Sequence, residues 1–255
     1  LTVAGSSCSI PRPGRACSSY LIESPGAAIV ADLGSGAFAN VIRERAAEDI
    51  DAVVISHMHA DHFIDIIPMR YALKYGARTN DRRVALYLPP GGIAMLGRLT
   101  AAFERESSAD FLDEVFDLRT YEPEEVLDIH DARVSFAPTA HYIPTWASRY
   151  EAAGASLTFS ADTAPDDRVA ELARDVDVFV CEASLSVEEE SAGPRGHVSA
   201  REAGRMAERA GARRLVLSHY PASADLAALE ALARSVYRGP VSVADDGFQL
   251  AVPGR

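Results

Sequence analysis

The chain has 255 residues, 48% of them apolar and 24% charged, and its 37 acidic against 25 basic side chains leave a formal charge of -12. That length and balance can bury a large core without staples, which excludes a disordered, collagen-like or disulfide-dense chain. The negative charge argues against broad, salt-driven attraction to nucleic acid or an anionic membrane, and no apolar run approaches the ~20 residues of a membrane-spanning helix.

Short β-rich stretches open the chain at Leu1 to Ala4, Tyr20 to Glu23 and Ala27 to Asp32, and the Gly, Pro and Ser between them make these a meander. Apolar spacing from Phe38 to Ala47 predicts a helix, and Ala52 to Ser56 is an apolar run short enough for a buried strand. Helical spacing recurs at Phe63 to Tyr75, Ile93 to Glu104, Asp166 to Arg174, Ala200 to Ala210 and Leu226 to Val236. Strands are expected at Val84 to Leu88, Arg133 to Pro138, Ser156 to Ser160, Val176 to Cys181, Arg214 to Ser218, Val241 to Ala244 and Phe248 to Val252. Strands and helices mixed along the whole length imply sheets covered by helices, so the class is α/β or α+β. No low-complexity tract, repeat or Pro/Ser-rich linker divides the chain, and residues 1–255 read as one domain.

Ser199-Ala-Arg-Glu202 is a capping box, in which the Ser hydroxyl accepts a backbone N–H and the Glu reaches back to the cap; Gly211 fits the stop of the same helix. His197 sits just before that cap. Cys8, Cys17 and Cys181 are odd in number and lack metal-finger spacing, so buried thiols in a reducing, cytoplasmic setting are expected. The chain opens on Leu1 rather than Met, which is compatible with a removed leader.

The chemistry concentrates in Ser56-His57-Met58-His59-Ala60-Asp61-His62, three imidazoles and a carboxylate directly after a predicted buried strand. Alternate side chains of an extended segment share a face, so His57 and His59 converge on one ion, and the turn into the next helix projects Asp61 and His62 beside them. That donor mixture suits zinc, and also manganese or iron, with no thiolate needed. Further candidates sit at other strand ends: His141 after Pro138, Asp162 after Ser160 and His219 after Ser218.

The motif HxHxDH from His57 to His62, followed by an isolated His, a later Asp and a late His, resembles the metallo-β-lactamase fold superfamily. The likeness covers nearly the whole chain, including the leading Val30-Ala-Asp-Leu-Gly-Ser-Gly36. It implies a four-layer αββα sandwich with a dinuclear metal site at one sheet edge. By position, His57, His59 and His141 would hold the first divalent ion, Asp61, His62 and His219 the second, and Asp162 would bridge them, with Asp32 and Ser56 supporting.

Gly196-His-Val-Ser-Ala-Arg-Glu-Ala-Gly204, continuing to Arg214-Leu-Val-Leu-Ser-His219, is similar to the ribonuclease Z-like and cyclic-nucleotide phosphodiesterase branch. That resemblance makes His197 an assistant in phosphodiester cleavage, and Asp61 the group that steers or accepts the proton of the attacking water. Dimerisation is a further expectation from that branch. Only 20 residues separate His141 from Asp162, which leaves no room for the exosite arm of transfer-RNA-processing enzymes, so a small substrate is expected and nucleic acid is not. The alternative is an acyl hydrolase acting on a thioester or lactone.

Tyr142, Trp146 and Arg149 are placed at the substrate's border, the Arg engaging a phosphate. Ile66, Ile67, Met69, Tyr71 and Leu73 read as core and pocket wall. His130 reads as surface, Glu188 to Glu190 as a solvated loop, and Glu182 as a group that orients His197 or a ligand His.

Overall fold

The computed structural model describes residues 1–77, 79–102, 108–122, 124–185 and 195–254. Two sheets form its centre. The first contains β1 (Thr2–Gly5), β2 (Ser19–Glu23), β3 (Ala28–Ala31), β4 (Ala52–Val54), β5 (Val84–Leu88) and β6 (Phe116–Thr120), hydrogen-bonded in that order. β1 to β3 run antiparallel, as the expected meander, and β3 to β6 run parallel. The second sheet contains β7 (Leu127–Ile129), β8 (Ala132–Pro138), β9 (Trp146–Ala152), β10 (Ala155–Phe159), β11 (Val178–Glu182), β12 (Leu215–Ser218) and β13 (Val241–Val243), again in chain order. Here β7 to β10 are antiparallel and β10 to β13 parallel.

Successive strand residues face opposite sides, and the sequence uses both sides as core. Val30, Val53, Leu86 and Leu88 face outward to α1 (Ala37–Glu44), α2 (Ala60–Phe63), α3 (Ile66–Tyr75), α4 (Gly92–Thr100) and α5 (Ser108–Asp113), meeting Phe38, Val41, Phe63, Met69, Leu96 and Phe111. Their neighbours Ile29, Val54 and Tyr87 turn inward against Tyr150, Val178, Val180 and Val216 of the second sheet. On the far side, Phe179, Cys181, Leu215 and Leu217 pack under α6 (Asp167–Leu172), α7 (Ala200–Ala210) and α8 (Leu226–Arg234). Three apolar interfaces between four layers make an αββα sandwich. Each fully buried Leu, Val, Ile or Phe in them contributes ~1.5–3 kcal/mol of burial free energy.

The helix expected over Phe63 to Tyr75 is split into α2 and α3. Pro68 lacks an N–H, so the helix restarts at Ile66 and carries the Pro in its first turn, where no hydrogen bond is lost. Asp65, at that break, accepts the N–H of Phe38 at 2.9 Å and so caps α1, whose own N-cap is Gly36. β6, β7, β9 and α5 were not expected. Conversely, the Phe248 to Val252 segment forms no full strand: it lies along β1 through a single bridge from Thr2 to Gln249 and hydrogen bonds between Leu1 and Leu250. All three cysteines are free thiols, Cys17 and Cys181 buried and Cys8 partly so. Among the described residues no helix is long and apolar enough to cross a membrane.

Candidate metal centre

The seven candidate ligands and Asp32 lie just beyond the C-terminal ends of strands, on one rim of the sandwich. Asp32 follows β3, His57 to His62 follow β4, His141 follows β8, Asp162 follows β10 and His219 follows β12. Three residues at these strand ends are non-glycines in the left-handed region: Asp32 (φ 57°), Ala161 (φ 51°) and His219 (φ 50°). Such conformations cost about 1–3 kcal/mol each and persist where the surroundings demand them. Here they turn the chain sharply over the rim and aim the adjoining side chains at one point.

The extended segment after β4 brings His57 Nε2 within 3.1 Å of His59 Nδ1, and His141 Nε2 lies 3.2 Å from the same His59 atom. α2 supplies Asp61 and His62. Asp61 Oδ2 is 3.5 Å from both His62 Nε2 and His219 Nε2. Asp162 stands between the two groups with one oxygen toward each. Its Oδ2 is 3.8 Å from His57 Nε2 and 3.7 Å from His141 Nε2, while its Oδ1 is 3.4 Å from His62 Nε2 and 3.5 Å from His219 Nε2.

Two observations test whether these residues fit a metal. First, two donors that each sit ~2.0–2.1 Å from one tetrahedral ion stand roughly 3.3 Å apart, and the imidazole nitrogens show that spacing. Second, His62 Nε2, Asp162 Oδ1 and His219 Nε2 are buried without a hydrogen-bond partner. Buried polar atoms are rarely left so, and three orphans facing one another mark a place for a cation. The cluster is capable of binding metal.

Electrostatics points the same way. Burial, with the neighbouring His62, holds His57 well below the ordinary imidazole range, and burial also lowers His59 and His141. Burial opposes charge on Asp162 and Asp61 too, but the facing His219 and His62 hold both carboxyls below their usual range. Neutral imidazoles and ionised carboxylates are the forms that ligate metal, and His57, His59 and His141 are held that way. His62 departs from it: burial would lower it, but Asp162 and Asp32 override that burial and raise its pKa well above the ordinary range, a proton that a cation at this place would displace.

Neighbouring groups fix the orientation of these side chains. Asp32 accepts the N–H of Ser56 at 2.7 Å and its hydroxyl at 2.8 Å, and its Oδ2 lies 2.7 Å from His62 Nδ1. Ser184 Oγ is 2.9 Å from His219 Nδ1, and the Gly196 carbonyl is 2.8 Å from His141 Nδ1. Gly34 is needed for space: a Cβ there would stand 2.0 Å from the carbonyl oxygen of Asp61, so only glycine lets the loop after β3 pass under α2. Sequence reasoning found Asp32 and Ser56 but missed Ser184 and the Gly196 carbonyl. A backbone oxygen carries no residue signature, and Ser184 stands alone after β11.

His197 precedes the Ser199 cap of α7, with its ring 5.0 Å from that of His141. Its Nδ1 lies 3.1 and 3.2 Å from the two oxygens of Glu182, whose Oε1 also accepts the Thr163 N–H at 2.7 Å. Burial would lower the imidazole, but the hydrogen bond and charge of Glu182 override it and raise the pKa. The expected orienting role of Glu182 is what the geometry shows.

Of the three side chains expected at the substrate's border, only Tyr142 stands beside the imidazole cluster, its ring near those of His141 and His197. Arg149 belongs to β9 and faces away: its Nη1 donates to the carbonyls of Leu172 and Arg174, at 3.0 and 2.9 Å, closing the C-terminal end of α6, and its Nη2 pairs with Glu151. Strand alternation turned it outward while Ser148 and Tyr150 turned in. Trp146 begins the same strand, its N–H bound to the Ser56 carbonyl and its ring against Tyr121 between the sheets. His130 is exposed and pairs with Asp51 at 3.1 Å. Glu188 to Glu190 lie outside the described residues.

Residues 25–220 match the family model of the beta-lactamase superfamily domain. The chain therefore belongs to the beta-lactamase superfamily, as a hydrolase of the metallo-β-lactamase fold. It is 28% identical to a Bacillus subtilis protein named "Probable metallo-hydrolase YhfI", over 97% of this chain and 98% of that one. The crystal structure of YhfI superimposes with a TM-score of 0.85 over 97% of each chain, at 25% identity. An uncharacterized protein of Mycobacterium tuberculosis is 31% identical over all of this chain and 93% of its own length. A ribonuclease Z of Myxococcus xanthus is 28% identical over all of this chain and 98% of its own.

Proposed function

We propose that the chain is a dinuclear metal-dependent phosphodiesterase acting on a small substrate such as a cyclic nucleotide. His57, His59 and His141 hold one divalent cation, Asp61, His62 and His219 a second, and Asp162 lies between them. The donor set of imidazole and carboxylate without thiolate favours zinc, with manganese or iron as alternates. Such cations lower the pKa of water toward neutrality and stabilise negative charge gathering on substrate oxygens.

The chain's own side chains complete the reaction. Asp61, the more exposed of the two carboxylates, is the group that steers or accepts the proton of the attacking water. Water adds to phosphorus as the bond to the leaving oxygen breaks, and His197 delivers its proton to that oxygen. Glu182 raises the pKa of His197 and engages its Nδ1, so Nε2 is the nitrogen left to face the substrate. This paired acid beside the seven donors is the observation that carries the reading, because a departing alkoxide needs a proton far more than a departing thiolate does.

Size is argued from what lies between His141 and Asp162. A short loop, β9 and β10 take up that whole segment, which leaves no protruding arm. The alignment with the Myxococcus xanthus ribonuclease Z runs over 305 positions for the 255 residues here, so that relative carries segments this chain lacks. An acidic chain is also a poor partner for a polyanion.

The test compares bis(p-nitrophenyl) phosphate with an acyl thioester, for the metal-loaded wild type and His197→Ala. The diester should be the better substrate and should lose about 10²–10⁴-fold in rate on substitution. Preferential thioester cleavage, indifferent to His197, would establish the acyl hydrolase instead.

A further inference from the structure

Tyr142 stands beside these groups with 63% of its surface exposed. Its ring nonetheless packs against main chain on one side. A Cβ built on Gly196 would stand 2.5 Å from Tyr142 Cε2 and 2.7 Å from Cδ2, so the ring lies directly against the glycine backbone, where any other residue would collide with it. At its edges are His141, 5.1 Å between ring centres, and His197, at 5.8 Å. The loop that carries it is tied down by four hydrogen bonds: Thr139 N–H to the Thr145 carbonyl (2.9 Å), Thr139 Oγ1 to the Asp162 carbonyl (2.7 Å), Thr145 Oγ1 to the Ile143 carbonyl (3.0 Å) and Ala164 N–H to the Ala140 carbonyl (2.7 Å).

An aromatic ring backed by main chain on one side, open to solvent on the other and carried by a pinned loop is prepared to receive a second flat ring without further ordering. We propose that Tyr142 is a stacking platform for a nucleobase, which makes the substrate a base-bearing phosphodiester rather than a simple alkyl one. The inference rests on the phosphodiesterase reading and adds to it the residue that selects a base-bearing substrate. With Arg149 turned away to cap α6, the ring at this border recognises a flat surface where a guanidinium would have recognised charge.

The experiment is calorimetric binding of two poorly cleaved ligands to the metal-loaded full chain: the phosphorothioate of cyclic adenosine monophosphate, and dimethyl phosphorothioate, which has no ring. The wild type should prefer the first. Tyr142→Ala and Tyr142→Leu should raise its dissociation constant about 5–150-fold, the range of one base–aromatic stack, while Tyr142→Phe should stay within about twofold. In NMR spectra the base protons should shift upfield with Tyr or Phe and not with Ala or Leu. The platform is overturned if all four proteins bind alike, if Phe falls as far as Ala, or if both ligands weaken together. A chain that binds the cyclic ligand in this ring-dependent way yet cleaves no phosphodiester loses the proposed reaction and keeps the platform. One that cleaves bis(p-nitrophenyl) phosphate but ignores the Tyr142 substitutions does the reverse.

Discussion

Glu182 holds His197 by its Nδ1 and raises its pKa against the burial that would lower it. Glu182→Gln keeps the shape and an acceptor for Thr163 but removes the negative charge, so the His197 pKa should fall. A general acid is lost as pH rises through its pKa, so the alkaline limb of the rate profile should move to lower pH. The stability linkage has the same sign. Because the folded pKa is raised above the ordinary 6.5, the pair's contribution is complete below that value and disappears as pH rises through the folded pKa. Denaturant melts should therefore show a larger cost of Glu182→Gln near pH 5.5 than near pH 8.5, roughly one unit below and two above the ordinary imidazole value. An unmoved rate limb would assign the proton to another group. At this scale the sequence was most readable where residue types cluster, as in His57 to His62. It misled where a plausible type pointed elsewhere: Arg149 has the chemistry to hold a phosphate, but the parity of β9 sends it to the opposite face.

Elements follow local rules where those rules are complete. α7 spans Ala200–Ala210 as its apolar spacing indicates, because the Ser199 and Glu202 cap fixes its start and Gly211, in the left-handed region, its end. Ser199→Ala removes the side-chain acceptor for the Glu202 N–H and should cost about 0.5–2 kcal/mol. For a chain of this size that is a melting shift of roughly 2–4 °C per kcal/mol. Thermal melts monitored by circular dichroism would read it, and an unchanged midpoint would show that the Arg195 to Glu202 ion pair carries the helix start alone. The cap also anchors the segment bearing His197, so the same variant should lose activity at temperatures below its melt. Elements were misread where tertiary context overrides the local signal. β9 reads as loop because Ala, Ser, Arg and Glu are poor strand formers, yet its inward Tyr150 and its pairing with both β8 and β10 hold it in the sheet.

At the scale of the whole molecule, three apolar interfaces support a rim where polar groups converge and the strand ends turn through strained conformations. Asp32, Ala161 and His219 concentrate that cost at the rim, while His130, Ala153 and Asp175 adopt the same conformation in turns elsewhere, and the apolar layers beneath hold all of them in place. The fold was legible because parallel strands such as β3, β4, β5 and β12 are nearly continuous apolar runs, whereas the edge strand β6, Phe-Asp-Leu-Arg-Thr, is not and went unread. The pairing of Asp162 with two separate imidazole groups was not legible from spacing, since it arises only when β4, β8, β10 and β12 are brought side by side at one rim. On the proposed reading, that convergence would make metal part of the stability of the protein. Orphaned atoms on His62, Asp162 and His219 lie buried in the bare chain, and a cation that binds only the folded form adds about 2.7 kcal/mol at a free concentration a hundredfold above its dissociation constant. Dialysis against a chelator should lower the melting temperature by roughly 5–10 °C, and divalent metal should restore it. Elemental analysis of unstripped protein should find two equivalents. Asp162→Ala should abolish turnover, reduce metal content and remove most of the chelator-dependent shift, because each of its oxygens serves a different donor group. A melt indifferent to chelator, in protein free of transition metal, would mean that these donors meet for some other reason.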